Sequence, residues 1–278
     1  MCRKMFRLSL LMASLFFSLA TLQNGYSQMT EDNYKLEQGL IYGMTETDPL
    51  TLNIATPNAG GLFPCIVYVG WSGVASYNTI AAINAAEKGY VGVVLDYRRN
   101  AKFPIPIGDL KCALSWLAAN SATYQIDPTR IALAGFHFGG YIALLAAYTT
   151  ETQLSNERCE NKGRGYTIRA VIALGAPTDW SKVSDETYYG TLRGGDSKQE
   201  FFAKSSPLDY IDAKDPPTLI IHGDIDKDTS PINAELLDKK LTQKGVPHQY
   251  VLLIDQDVHI MEQWHSELSW EFLMRHLK

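Results

Sequence analysis

The residues Gly135-Phe136-His137-Phe138-Gly139-Gly140 form the stretch of this chain best suited to chemistry. They follow the apolar run Ile131–Ala134 and lead into the helical run Tyr141–Tyr148, so a strand enters a tight turn and leaves as a helix. Glycines flank the turn because bulkier residues would block it. A strand–turn–helix apex of this shape presents one side chain at a strained position, usually a serine nucleophile. Here that side chain is His137, whose imidazole accepts protons near neutral pH but has no hydroxyl. Histidine is tolerated at positive φ better than most residues, which suits the backbone role.

Two further groups of the kinds that assist a nucleophile follow along the chain, an acid and then a histidine. Asp226 closes His222-Gly223-Asp224-Ile225-Asp226 after the apolar run Thr218–His222. His259 closes Asp255-Gln256-Asp257-Val258-His259 after Gln249–Ile254. Asp224 and Asp228 flank Asp226 and are alternative acids, and a solvated acidic loop is the plain reading of all three. A surface histidine is the plain reading of His259. His222, ending an apolar strand, reads as a packed structural residue. Two imidazoles and a carboxylate are zinc donors when they converge. Adventitious proximity accounts for this set better, and we assign no metal and no cofactor.

Positioning these groups requires strands that end near one another. Cys65–Val69, Val91–Leu95, Ile131–Ala134, Ala170–Leu174, Thr218–His222 and Gln249–Ile254 are short and apolar, as expected for strands of a parallel sheet buried on both faces. Leu110, Ala113, Leu114 and Leu117 have helical spacing, as do Ile232, Leu236, Leu237 and Leu241. Strands alternating with helices predict a doubly wound, mostly parallel α/β sheet flanked by helices. Leu40–Ala55 is expected to add an antiparallel edge hairpin. Glu151–Gly165 reads as a loop, and Ser181–Lys204 as an insertion that partly covers the ligand end. In such sheets ligands bind beyond the carboxyl ends of the strands, where His137, Asp226 and His259 all fall.

The chain has 278 residues, enough for one large α/β domain, and a formal charge of −5. Arg3, Lys4 and Arg7 precede the apolar run Leu8–Leu22, and small residues follow at Gly25-Tyr26-Ser27. This pattern predicts a signal peptide over residues 1–28, a single domain over 29–278, and a secreted or periplasmic protein. The apolar run is short for a membrane span, so no stable span is expected once the leader is removed. Its removal takes three cations and lowers the charge to −8. No basic run remains, which argues against a nucleic-acid partner. Cys65 and Cys112 read as buried thiols, whereas Cys159 is free or paired.

Further motifs carry a resemblance. Asp96-Tyr97-Arg98, Ile126-Asp127-Pro128-Thr129-Arg130-Ile131, Gly175-Ala176-Pro177-Thr178-Asp179 and Ser206-Pro207-Leu208-Asp209-Tyr210 occur in the order and spacing of the esterase/lipase group of α/β-hydrolases. Over about residues 37–278 the chain resembles the feruloyl-esterase-like (BD-FAE-like) and acyl-peptidase-like branch. The resemblance implies the α/β-hydrolase fold, Asp226 as triad acid, His259 as base, and an ester or acylated carbohydrate as substrate. It also marks two departures. His137 stands where the group has serine, and Gly70-Trp71-Ser72-Gly73-Val74 stands where it has His-Gly-Gly-Gly-Trp. Trp71 either packs over the pocket floor or fills the acyl site. Ser72, Gly73 and Phe138 are the remaining candidates for the oxyanion region and pocket, and Ser72 is the obvious alternative hydroxyl. Three readings follow: an esterase-derived protein without serine activity, a binding module whose pocket uses Trp71, Phe136 and Phe138, and an active hydrolase that uses His137 or Ser72.

Overall fold

The computed structural model describes residues 33–70, 73–155, 159–160, 165–183, 186–257 and 260–278. The predicted leader, Trp71, Ser72 and His259 lie outside the described residues. The chain opens on β1 (Tyr34–Met44) and β2 (Pro49–Pro57), an antiparallel hairpin longer at both ends than the apolar pattern predicts. Then follow β3 (Phe63–Val69), α1 (Thr79–Glu87), β4 (Val91–Leu95), α2 (Ile105–Ala119), β5 (Ile126–Phe136) and α3 (Phe138–Tyr148). After β6 (Ile168–Leu174) come α4 (Glu186–Arg193) and α5 (Lys198–Ser205). The remainder is β7 (Thr218–Gly223), α6 (Ile232–Lys244), β8 (His248–Leu253) and α7 (Glu267–Leu277).

The sheet order is β1-β2-β4-β3-β5-β6-β7-β8. Pairing is antiparallel from β1 to β4 and parallel from β4 through β8. The apolar runs of β3 to β7 are buried because helices cover both faces. Leu110, Leu114, Tyr141, Leu145 and Leu237 pack on one face, and Ala82, Ala85, Trp270 and Leu273 on the other. From β3 the chain moves outward to β4, then crosses back over β3 to β5. The winding direction therefore reverses between β3 and β5, and the crevice at their carboxyl ends is where a doubly wound sheet receives ligands.

The insertion after β6 forms two short helices. Trp180, Tyr189 and Phe201 build an aromatic cluster whose Trp180 ring meets Tyr141 of α3 edge-on at 4.8 Å between centroids. The expectation for Cys112 needs correction. It is not a thiol but forms a disulfide with Cys159, with the Cα atoms 5.5 Å apart. The apolar helical pattern around Cys112 conceals this, because the partner lies 47 residues away in a polar loop. Cys65 is buried and free.

Candidate functional site

His137 sits between β5 and α3 with φ 54° and ψ −117°, outside the regions favoured by non-glycine residues. Its amide donates to the Leu174 carbonyl at 2.7 Å, and its carbonyl accepts from the Tyr141 amide at 3.1 Å. These bonds tie the apex to β6 and to the first turn of α3. The neighbouring glycines are required by backbone contact. A Cβ on Gly139 would lie 1.9 Å from the Val69 carbonyl oxygen, and one on Gly135 would lie 2.5 Å from that of Gly139. The frame thus depends on backbone atoms and missing side chains, not on the identity of residue 137.

His137 is 6% exposed. Burial lowers its pKa to about 4, against opposing pulls from Asp226 and Asp228, so it is neutral at pH 7. Its Nε2 lies 3.3 Å from the hydroxyl oxygen of Thr229. Thr229 is wholly buried, which keeps that hydroxyl out of reach of a substrate carbonyl.

Asp226 follows β7 and is buried, whereas Asp224 is half-exposed and Asp228 exposed. Its Oδ1 accepts the amides of Asp228 and Thr229, each at 2.9 Å. Its Oδ2 lies 3.4 Å from His222 Nε2 and forms no hydrogen bond among the described residues. His222 Nε2 donates instead to the Thr229 carbonyl at 2.7 Å, which fixes that nitrogen as the protonated one. Gly175 lies beside the carboxylate, where its φ of 55° favours glycine. Asp226, Thr229, His222 and His137 therefore form one buried polar group at the carboxyl ends of β5 and β7.

On the β3 side, the loop after Val69 is braced by the loop after β4. Tyr97 donates its hydroxyl to the Gly70 carbonyl at 2.6 Å and its amide to the Gly73 carbonyl at 3.2 Å. Asp96 Oδ1 accepts the Ala75 amide at 2.7 Å. Gly73 adopts φ 69°, and a Cβ on it would crowd the Tyr97 carbonyl at 2.8 Å. Phe138 is the first residue of α3, where the macrodipole places partial positive charge.

Among the sequence candidates, His137, Asp226, Gly73 and Phe138 come to the carboxyl end of the sheet. Phe136 and Phe138 pack against other aromatic rings. Phe138 stacks on Tyr141 at 5.6 Å, and Phe136 meets Trp264 edge-on at 6.3 Å. Both residues are buried. Thr229 and Arg99 were missed. The signal for Thr229 is its place three residues after Asp226, where its amide closes on the carboxylate. The signal for Arg99 is its position beside the Asp96-Tyr97-Arg98 motif, with its guanidinium 6.0 Å from the Phe138 ring centroid.

A parallel sheet wound about β3 and β5, with a strained apex after β5 and a buried acid after β7, defines an α/β-hydrolase of the esterase/lipase type. The family model described as BD-FAE matches residues 52–241, and the chain belongs to the BD-FAE family. Esterase LipC of Mycobacterium tuberculosis is 30% identical over 153 residues, covering 51% of this chain and 38% of that protein. The probable carboxylic ester hydrolase LipM of the same species is 26% identical over 152 residues, covering 50% and 34%. The match thus spans little more than a third of these relatives' lengths. Among solved structures, a truncated carbohydrate esterase from gut microbiota superposes with a TM-score of 0.79 at 21% identity, covering 89% of this chain and 99% of that one. Esterase B from Lactobacillus rhamnosis gives 0.70 at 19% identity, covering 95% and 94%. Both structures share the fold.

Proposed function

We propose that this is a secreted or periplasmic protein of carboxylic-ester hydrolase ancestry whose serine-type activity is lost or sharply reduced. It keeps the site as a receptor for an ester or acylated carbohydrate. The observation that carries this reading is the neutral, buried imidazole of His137 at the elbow apex. Serine there would attack the ester carbonyl once a neighbouring base had taken its proton. An imidazole held by Thr229 in a buried polar group has no hydroxyl to activate. In this reading the acid, the base and the oxyanion loop keep their roles. Asp226 has one carboxylate oxygen satisfied and the other open to a further donor, the part that His259 takes in this reading. In this fold the residue after the apex and the loop after β3 supply main-chain oxyanion donors, here Phe138 and the Gly70–Gly73 loop. The truncated carbohydrate esterase supports an acylated sugar as the ligand class. The basic and apolar leader supports export, as does the Cys112–Cys159 disulfide, since such bonds persist in oxidising compartments.

The purified mature protein tests this with short p-nitrophenyl esters. Turnover on the order of 10³-fold or more below that of a serine esterase is expected. Esterase-level turnover that vanishes in His137→Ala would overturn the reading.

A further inference from the structure

A cleft of about 590 Å³ lies between α1 and α7, on the opposite face of the sheet from α3. It shares no lining residue with the polar group around His137, so it is independent of the ester receptor. Helical spacing builds both walls. Asn84, Glu87 and Lys88 stand three and four residues apart along α1 and just beyond its end. Glu267, Trp270, Glu271 and Met274 repeat that spacing on α7. His265, in the turn before α7, completes the lining.

The charges in this cleft are placed at a cost. Glu87 is the last residue of α1, where the macrodipole already adds partial negative charge. Glu267 and Glu271 are like charges one helical turn apart. These three carboxylates form no ion pair among the described residues, and Lys88 is paired with none of them. The Lys88 ammonium stands instead 5.1 Å from the centroid of the Trp270 ring. Tyr90 and His265 hold that ring, each with its centroid 5.9 Å away. Trp270 thus already offers a cation its π-system. Burial and the Lys88 charge lower the His265 pKa, so its ring is neutral at pH 7. Three carboxylates against one ammonium leave two negative charges uncompensated.

We propose that this cleft binds a linear aliphatic diamine or polyamine. Among the described residues no three acidic, histidine or cysteine side chains converge as a metal ion would need, so the negative charge is spread along both helices. That spread suits a ligand whose two ammonium groups are held apart. Each ammonium brings three donors for carboxylate oxygens. Trp270 and Met274 supply apolar surface for the methylenes between them. A monoamine or a neutral sugar leaves negative charge in the cleft uncompensated.

Isothermal titration of the full mature protein with putrescine and with n-butylamine tests this site. The two amines share a carbon chain and differ in the second ammonium. Putrescine should bind about tenfold tighter or more at low salt, with the margin shrinking as salt rises. Replacing Glu87 and Glu271 together by Gln should bring the two affinities within about twofold. Replacing Glu160 and Glu235 by Gln removes as much charge from exposed positions outside the cleft and should leave the margin unchanged. Should the Glu87→Gln, Glu271→Gln protein fail to fold, the two amines and the salt series on the wild type still decide. Absence of putrescine binding, equal binding of the two amines, or a margin that survives in the Glu87→Gln, Glu271→Gln protein overturns the proposal. A margin lost equally in the Glu160→Gln, Glu235→Gln protein also overturns it, by tracing the preference to overall charge.

Discussion

At its first residue, α3 leaves His137 at φ 54° and presses Gly139 against the carbonyl of Val69, with no side chain between. At its last turn it ends at Thr149, where the buried Lys111 takes over. Lys111 Nζ donates to the Thr149 hydroxyl at 2.7 Å and to the carbonyls of Thr150 and Gln153 at 2.5 and 2.6 Å. The next residue of α2, Cys112, is cross-linked to Cys159. One end is thus shaped by backbone contact and the other by side chains and a covalent bond. The elbow makes few demands on the side chain at residue 137, so that side chain can change while the turn remains.

The largest break in this contrast should come at the glycine end. Gly139→Ala forces a Cβ to within 1.9 Å of a strand carbonyl, so either β3 or α3 must shift. Loss of soluble protein, or destabilisation above about 3 kcal/mol in chemical denaturation, is expected. At the other end, replacing Cys112 and Cys159 by serine should cost about 2–4 kcal/mol, because the bridge closes a loop containing β5, the elbow and α3. Lys111→Met should cost somewhat less, about 1–3 kcal/mol, by leaving carbonyls of the Thr149–Gln153 turn without their donor. Burial lowers the Lys111 pKa to about 8, so the ammonium stays charged and bonded at neutral pH.

A pH effect of similar size sharpens the view of residue 137 itself. Its pKa falls from the ordinary 6.5 to about 4 in the folded state. As pH falls through that window the unfolded chain takes up the proton first, so folding stability should drop between pH 6.5 and 4. The drop should be on the order of 2 kcal/mol. Denaturation curves at several pH values should show a shallower slope for His137→Ser.

The elements that position the site were legible because buried parallel strands read as apolar runs and the elbow has its own glycine pattern. The Cys112–Cys159 bridge was hidden because one partner sits in an apolar helix and the other in a polar loop, with nothing local joining them. The contact of His222 with Asp226 was hidden for a related reason. An apolar strand pattern reports burial but not which polar atom the buried ring meets, here a carboxylate oxygen 3.4 Å away. Arg99 and Thr229 belong to loops, whose side-chain directions depend on tertiary bracing that periodicity does not encode.

In the proposed reading the elbow frame is intact and a hydroxyl at its apex is what is missing. Restoring the hydroxyl in His137→Ser tests it most directly, with p-nitrophenyl acetate turnover and fluorophosphonate labelling followed by peptide mapping. The wild type should stay unlabelled. His137→Ser should gain turnover on the order of 10² or more over the wild type and carry the label at position 137. A His137→Ser protein that folds but remains inert and unlabelled would contradict the claim.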